Sequence, residues 1–290
     1  MINQTVKDFD KISPTAILVA YARQFSDIPY SKEIAELTNA LTRANQIWNY
    51  QQEEQVGTIG LAALIEGRYK TIEQVRARFL GTQILELASG LLPRGMIATQ
   101  DPAITFIESD LPGMIQQKQP LIKQLIGDRP NLHLLEINAT NSLDFLVLKH
   151  YFQPDQPVTI LCEGLLPYLT FTEKQQVFSN VREILQTYGG VWITSDMPTK
   201  AGRERVEDIF PKYRLVRQRI SSLTERPFSD NEFEHVEEAK EFAQQQGFQS
   251  EEFSMLAVLN QLTSPSRLNI ESNLVTKMLT QDPVFAFTLA

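Results

Sequence analysis

ILELASG (Ile84–Gly90), FIESDLP (Phe106–Pro112) and ILCEGLLPYL (Ile160–Leu169) decide the fold. Each is an apolar, strand-like run that ends in carboxylates, small residues or a turn. Strands that are apolar almost throughout, alternating with helices, indicate a parallel sheet covered on both faces. In such a sheet ligands bind beyond the carboxyl ends of the strands, so the three runs are expected to converge on one pocket.

Further runs of the same kind extend the sheet. The expected strands are Gln83–Leu87, Ala103–Glu108, Leu132–Ile137, Val158–Cys162 and Gly190–Thr194, with helical segments Gly113–Ile126, Asn141–Tyr151 and Thr172–Tyr188 between them. FQSEEF and PVFAFTL near the end add a last strand pair, giving a doubly wound, mostly parallel, seven-stranded α/β sheet. The first 80 residues read as helix: Ile34, Leu37, Leu41, Ala44 and Trp48 recur at three- and four-residue steps behind a candidate N-cap, Ser31, and a second amphipathic stretch runs from about Thr58 to Phe79. Residues 1–80 are therefore expected to form a helical cap and 81–290 the α/β domain. The charged segment from about 196 to 247 reads as a lid inserted after the fifth strand, with helix at Lys200–Phe210 and Asp230–Gln246.

Composition narrows the function. Basic residues number 27 against 35 acidic, a net charge of −8, so no nucleic-acid partner is expected. A single cysteine, Cys162, leaves no intramolecular disulfide and no multi-cysteine metal site, and no metal is expected. No run approaches the ~18 apolar residues of a membrane span, and the polar start MINQTVKDFDKIS carries no signal-peptide core. These features point to a cytoplasmic protein with a small-molecule substrate; on the sequon reading, Asn3 and Asn138 are accidental. Oligomeric state is not readable.

The strand ends carry the chemistry. After Glu86, the residues Ala88, Ser89 and Gly90 let backbone approach a ligand, yet neither GxGxxG nor a Walker loop is present. An acidic turn without a phosphate cradle suits a cofactor without pyrophosphate, such as S-adenosylmethionine. Glu108 and Asp110 end the second strand, where a carboxylate accepts hydrogen bonds from ribose hydroxyls. Asn138 could meet an adenine edge, with Ala139 leaving room for the ring. Glu163 is an acid at a buried strand end that needs a partner.

Several motifs then fall in order. SPTAILVAYAR (Ser13–Arg23) is similar to S-x-T-A-x(n)-A-x-R-A, and DIPY (Asp27–Tyr30) to D-P-[YF]. ILELASGLLPR is similar to V-x-L-G-A-G-L-D-T-R, ESDLP with Lys118 matches E-x-D-x-P-x(5)-K, and EGLLPYL is similar to E-G-[VL]-x-x-Y-L. With these motifs the chain resembles the leucine carboxyl methyltransferase family, whose bacterial members include O-methyltransferases linked to polyketide metabolism. The resemblance implies a class I, Rossmann-like methyltransferase fold and S-adenosyl-L-methionine as cofactor. It puts cofactor contacts on Arg68, Ala88, Gly90, Asp110, Asn138, Ala139 and Glu163, with Arg68 reaching the methionine carboxylate. Ala88 stands where the family has glycine, and Leu92 and Pro93 replace its Asp-Thr pair. Tyr168, Arg203 and His235 are the substrate-side candidates. The implied activity is O-methylation of a small-molecule carboxylate or hydroxyl; a protein C-terminal carboxyl methyltransferase and a catalytically silent α/β domain that binds a nucleoside or a partner are the alternatives.

Overall fold

The computed structural model describes residues 13–48, 57, 60–226, 229–280 and 282–290. Asn3 and Thr58 lie outside the described residues. Among the described residues the first elements are the helices α1 (Ser13–Arg23), α2 (Ser31–Leu37), α3 (Ala40–Ile47) and α4 (Ala62–Arg76). There follow β1 (Gln83–Leu87), α5 (Arg94–Ala98), β2 (Thr105–Asp110), α6 (Pro112–Ile126), β3 (Leu132–Glu136) and β4 (Val158–Cys162). The chain continues through α7 (Phe171–Tyr188), β5 (Gly190–Thr194), α8 (Lys200–Ile209), α9 (Lys212–Thr224), α10 (Val236–Gln245), β6 (Phe248–Phe253), α11 (Ser264–Arg267), α12 (Ser272–Leu279) and β7 (Val284–Leu289).

The strands form one sheet in the order β3-β2-β1-β4-β5-β7-β6. Every pairing from β3 to β5 is parallel, and β7 runs antiparallel to both neighbours. The strand order reverses at β1, between β2 and β4, and the crevice opens at that switch point. β1 and β4 are buried at every residue, as strands covered on both faces must be. β6 exposes Gln249, Glu251 and Glu252; charges of this kind guard an edge strand against unwanted pairing.

The expected strands at β1, β4 and β5 have the observed bounds, and β2 is shifted two residues toward Asp110. Three expectations need correction. Ser31 does not cap its helix: Tyr30 does, at φ 64°, and Ser31 is the first helical residue. The helix expected through Trp48 is broken by Asn39 at φ 50°, which rotates the following turn and leaves Leu41 exposed while Ala44 and Trp48 stay buried. The segment Ser142–His150 winds as a 3₁₀ helix, opened by the Asn141 side chain accepting from Leu143 N–H.

Residues on both sides of position 80 share one apolar cluster. Ile17, Trp48 and Ile72 belong to it together with Ile84, Phe106 and Leu161 of the sheet. The first helices therefore form a layer on the sheet. The inserted segment also divides differently from its reading: α9 was not anticipated, and α10 packs along β6 as an ordinary covering helix.

Candidate active site

The carboxyl ends of β1, β2 and β4 and the chain after β3 open into one cleft of about 1050 Å³, counting the space at its mouth. Ala88, Ser89, Gly90, Asp110, Asn138, Ala139 and Glu163 all line it, so the sheet brings together seven of the residues singled out from sequence. The facing wall comes from α1, through Thr15, Ala16, Val19 and Arg23, and from α4, through Arg68.

The turn after β1 is shaped by its own hydrogen bonds. Ser89 N–H donates to Ser109 O at 2.9 Å, and Gly90 N–H donates to Asp110 Oδ2 at 2.7 Å. Leu111 N–H donates to Asp110 Oδ1 at 2.8 Å. Burial pushes the Asp110 carboxyl up, and these two N–H groups oppose that shift. Ala88 and Gly90 both take left-handed conformations, at φ 51° and φ 46°. Glycine adopts these freely; an L side chain does so at a cost of about 1–2 kcal/mol. The alanine that replaces the family glycine is thus a backbone penalty as well as an added methyl. Ala88→Gly is expected to raise the unfolding free energy by about 0.5–1 kcal/mol in urea titration, after glycine's greater unfolded-state entropy is subtracted.

Two acids expected at the cofactor are absorbed by the protein itself. Glu108 is fully buried beneath the turn: its Oε2 lies 2.7 Å from Lys118 Nζ, and its Oε1 accepts from Gly95 N–H at 3.1 Å. Glu86 is equally buried and ion-paired to Arg94. Neither lines the cleft. The physical reason is depth along the strand: in β2 the side chains of Glu108 and Asp110 share a face, but only the last residue clears the end of the sheet.

Glu163 does reach the cleft. Its Oε2 accepts from Arg94 Nη2 at 3.2 Å, and its Oε1 lies 3.8 Å from Arg68 Nε. The loop carrying it is held by Asp196, which accepts from the N–H groups of Gly164 at 2.8 Å, Leu165 at 2.6 Å and Leu166 at 3.3 Å. Asn138 spends its Oδ1 on Thr140, leaving its amide NH₂ for a ligand. Tyr168 lines the cleft and hydrogen-bonds to Thr15; burial pushes its phenol up to about 12.

Arg203 and His235 do not line the cleft. Arg203 is engaged by Glu232, 2.8 Å from its Nε, and by Glu207. His235 lies at the start of α10 beside a separate surface hollow shared with Thr199 and Asp282. No residue of the segment 196–247 is in the cleft wall among the described residues, so the covering role expected of that segment falls to α1.

Sequence reasoning missed two residues. Asp196 follows β5 in ITSDMP and obeys the same strand-end rule used for Asp110 and Glu163. Arg23 closes the SPTAILVAYAR motif; it is 4% exposed and donates from Nη1 to Leu91 O at 3.1 Å. Its Nε, like Arg68 Nε and Ser89 Oγ, is buried without a hydrogen-bond partner, and all three residues line the cleft. Unpartnered buried donors are costly unless a ligand meets them. The wall thus offers two guanidinium groups to a carboxylate, Glu163 to a cation, and Asp110 to hydroxyls. Among the described residues no cluster of His, Cys, Asp and Glu is placed to hold a metal ion, and no helix is long and apolar enough to cross a membrane.

Sheet order, the acid at the end of β2 and the cleft over β1 and β4 together define a class I, Rossmann-like methyltransferase fold. The leucine carboxyl methyltransferase profile matches residues 14–182, and the chain belongs to that family. That family is one of methyltransferases. The fold is shared with a DUF574 family protein from Streptomyces avermitilis, 14% identical with a TM-score of 0.56 over 95% of this chain and 96% of that one. A methyltransferase candidate from Thermobifida fusca is 13% identical, with a TM-score of 0.54 over 92% and 94% of the two chains. The chain spans 59% of a longer O-methyltransferase candidate from Nostoc punctiforme, using 80% of its own length at 13% identity and a TM-score of 0.46. No curated protein matches it in sequence.

Proposed function

We propose that this protein transfers the methyl group of S-adenosylmethionine to a carboxylate oxygen of a small molecule. The observation that carries the reading is the chemistry of the cleft wall. Among the described lining residues the ionisable groups are Arg23, Arg68, Asp110, Glu163 and Tyr168. Asp110 and Glu163 are committed to the cofactor: Asp110 to the ribose diol and Glu163 to the methionyl ammonium. Asn138 and Ala139 would take the adenine, the Ala88–Gly90 turn the adenosyl group, and Arg68 with Arg23 the methionyl carboxylate. The Nε atoms of Arg23 and Arg68 and Ser89 Oγ, buried without a hydrogen-bond partner, support that fit.

What remains is a phenol, Tyr168, pushed up to about 12, which is a poor proton acceptor at neutral pH. A hydroxyl acceptor must lose a proton and finds no free base among the described lining residues. A carboxylate is already ionised and needs alignment and exclusion of water. When bound, S-adenosylmethionine would supply an electrophilic methyl carbon for transfer to the acceptor oxygen, with S-adenosylhomocysteine as the other product. The Thr15–Tyr168 hydroxyl pair orients the acceptor, and the apolar side chains of Val19, Leu165 and Leu169 keep water from it.

The test is a methyl-transfer screen against carboxylic acids, phenols and alcohols, with products treated with alkali. Methyl esters release methanol; methyl ethers do not. Ester products, with kcat at saturating cofactor flat from pH 6 to 9, are the expected outcome. Ether products alone would overturn the carboxylate reading, and turnover only with peptides ending in a free carboxylate would move the acceptor to a protein terminus. Calorimetry that detects no binding of S-adenosylmethionine or S-adenosylhomocysteine would leave a silent domain.

A further inference from the structure

Arg94 is 1% exposed and meets three carboxylates. Its Nη1 pairs with Glu86 Oε1, its Nη2 with Glu163 Oε2 at 3.2 Å, and its Nε with Glu73 Oε1 at 2.7 Å. Its guanidinium also lies over the Tyr69 ring, 4.5 Å from the centroid. One cation is thus divided between an acid in the cleft wall, Glu163, and an acid sealed behind it, Glu86. The second oxygen of Glu86, Oε2, is buried without a hydrogen-bond partner.

We infer that Arg94 is a positioning residue that ties Glu163 to Glu86, so that seating an ammonium group on Glu163 expels a proton from Glu86. The inference rests on the placement of the methionyl ammonium proposed above. The groups that face Glu86 are Arg94 on α5, Lys118 on α6 and Glu108 on β2. Tyr69 and Glu73 on α4, Glu163 after β4, Cys162 within β4 and Arg23 on α1 complete its surroundings. Burial lifts Glu86 to about 7, against the pull of Arg94 and Lys118. Arg94 itself is desolvated, yet Glu86, Glu73 and Glu163 outweigh that and hold it firmly protonated.

The direction follows from the sharing. Without ligand, Arg94 is split between Glu86 and Glu163, and near pH 7 Glu86 is partly protonated. An ammonium on Glu163 takes over part of that acid's demand, so Arg94 serves Glu86 more fully and favours its ionised form. Ligand binding therefore releases a proton, and affinity rises as pH increases through about 7.

Calorimetric titration with S-adenosylhomocysteine at pH 7, in two buffers of different ionisation enthalpy, counts that proton. The expected result is release of about 0.3–0.5 proton per site, and none from Glu86→Gln. 5′-Methylthioadenosine, which lacks the methionyl end, is expected to release none from the unaltered protein; this comparison stands even if Glu86→Gln does not fold. No release with S-adenosylhomocysteine, equal release with 5′-methylthioadenosine, or equal release from Glu86→Gln would each overturn the coupling. Glu163→Gln separates the two layers: S-adenosylhomocysteine affinity unchanged in that variant refutes the ammonium placement, whereas weakened affinity without proton release in the unaltered protein refutes only the coupling.

Discussion

Replacing Lys118 with methionine is expected to cost about 3–5 kcal/mol of folding stability, the size typical of a buried ion pair that loses one partner. Lys118 and Glu108 are 2% and 0% exposed at their side chains and 2.7 Å apart. Removing the ammonium leaves Glu108 buried with Gly95 N–H as its remaining donor, and no water can replace the lost charge. Lys118 also donates to Ser89 O at 3.4 Å, so the turn under the cleft loosens along with the pair. Urea titration at pH 7 measures the loss. A second replacement, Glu108→Leu in the Lys118→Met background, is expected to recover most of the loss, because exchanging a whole buried pair for apolar side chains is often neutral. Full stability in Lys118→Met alone would show that Glu108 is not held as a buried anion.

The sheet was legible because its inner strands are apolar at nearly every position, a signal independent of packing detail. Gln83–Leu87 carries it at Ile84, Leu85 and Leu87, and Val158–Cys162 at every residue but Thr159; both are buried throughout. The helices were less legible where a single backbone conformation decides the outcome. Asn39 in the left-handed region breaks a helix whose apolar spacing runs straight through it. The same limit applies to the site. A carboxylate at a strand end can face a ligand or a neighbouring cation, and sequence does not say which: Asp110 clears the sheet, whereas Glu108, two residues earlier, finds Lys118. Glu86 was hidden likewise by Arg94, the residue that follows the altered Leu92-Pro93 pair. Arg203 and His235 are ionisable side chains in the segment that reads as a lid; Arg203 instead satisfies Glu232 inside that segment. The wall opposite the sheet comes from α1, where Arg23 stands far in sequence from any strand end and so carries no strand-end signal.

Asp110→Asn and Glu163→Gln are each expected to weaken S-adenosylhomocysteine binding at least tenfold, or ~1.4 kcal/mol. Hydrogen bonds to a charged acceptor contribute ~1.5–3 kcal/mol each, so losing the charge under two ribose hydroxyls suffices for that change. The amide variants keep shape and are preferred to alanine because both acids have structural partners. Asp110 anchors Gly90 and Leu111 N–H, and Glu163 shares Arg94 with Glu86 and Glu73. The two losses should differ in character. 5′-Methylthioadenosine retains the ribose and lacks the ammonium, so Asp110→Asn should weaken it as strongly as S-adenosylhomocysteine, while Glu163→Gln should leave it nearly unchanged. That crossed pattern is one a general loss of folding would not produce, since instability lowers both affinities in both variants. If both variants, shown folded by circular dichroism, bind both ligands as tightly as the unaltered protein, the cleft over β1 and β4 is not the cofactor site.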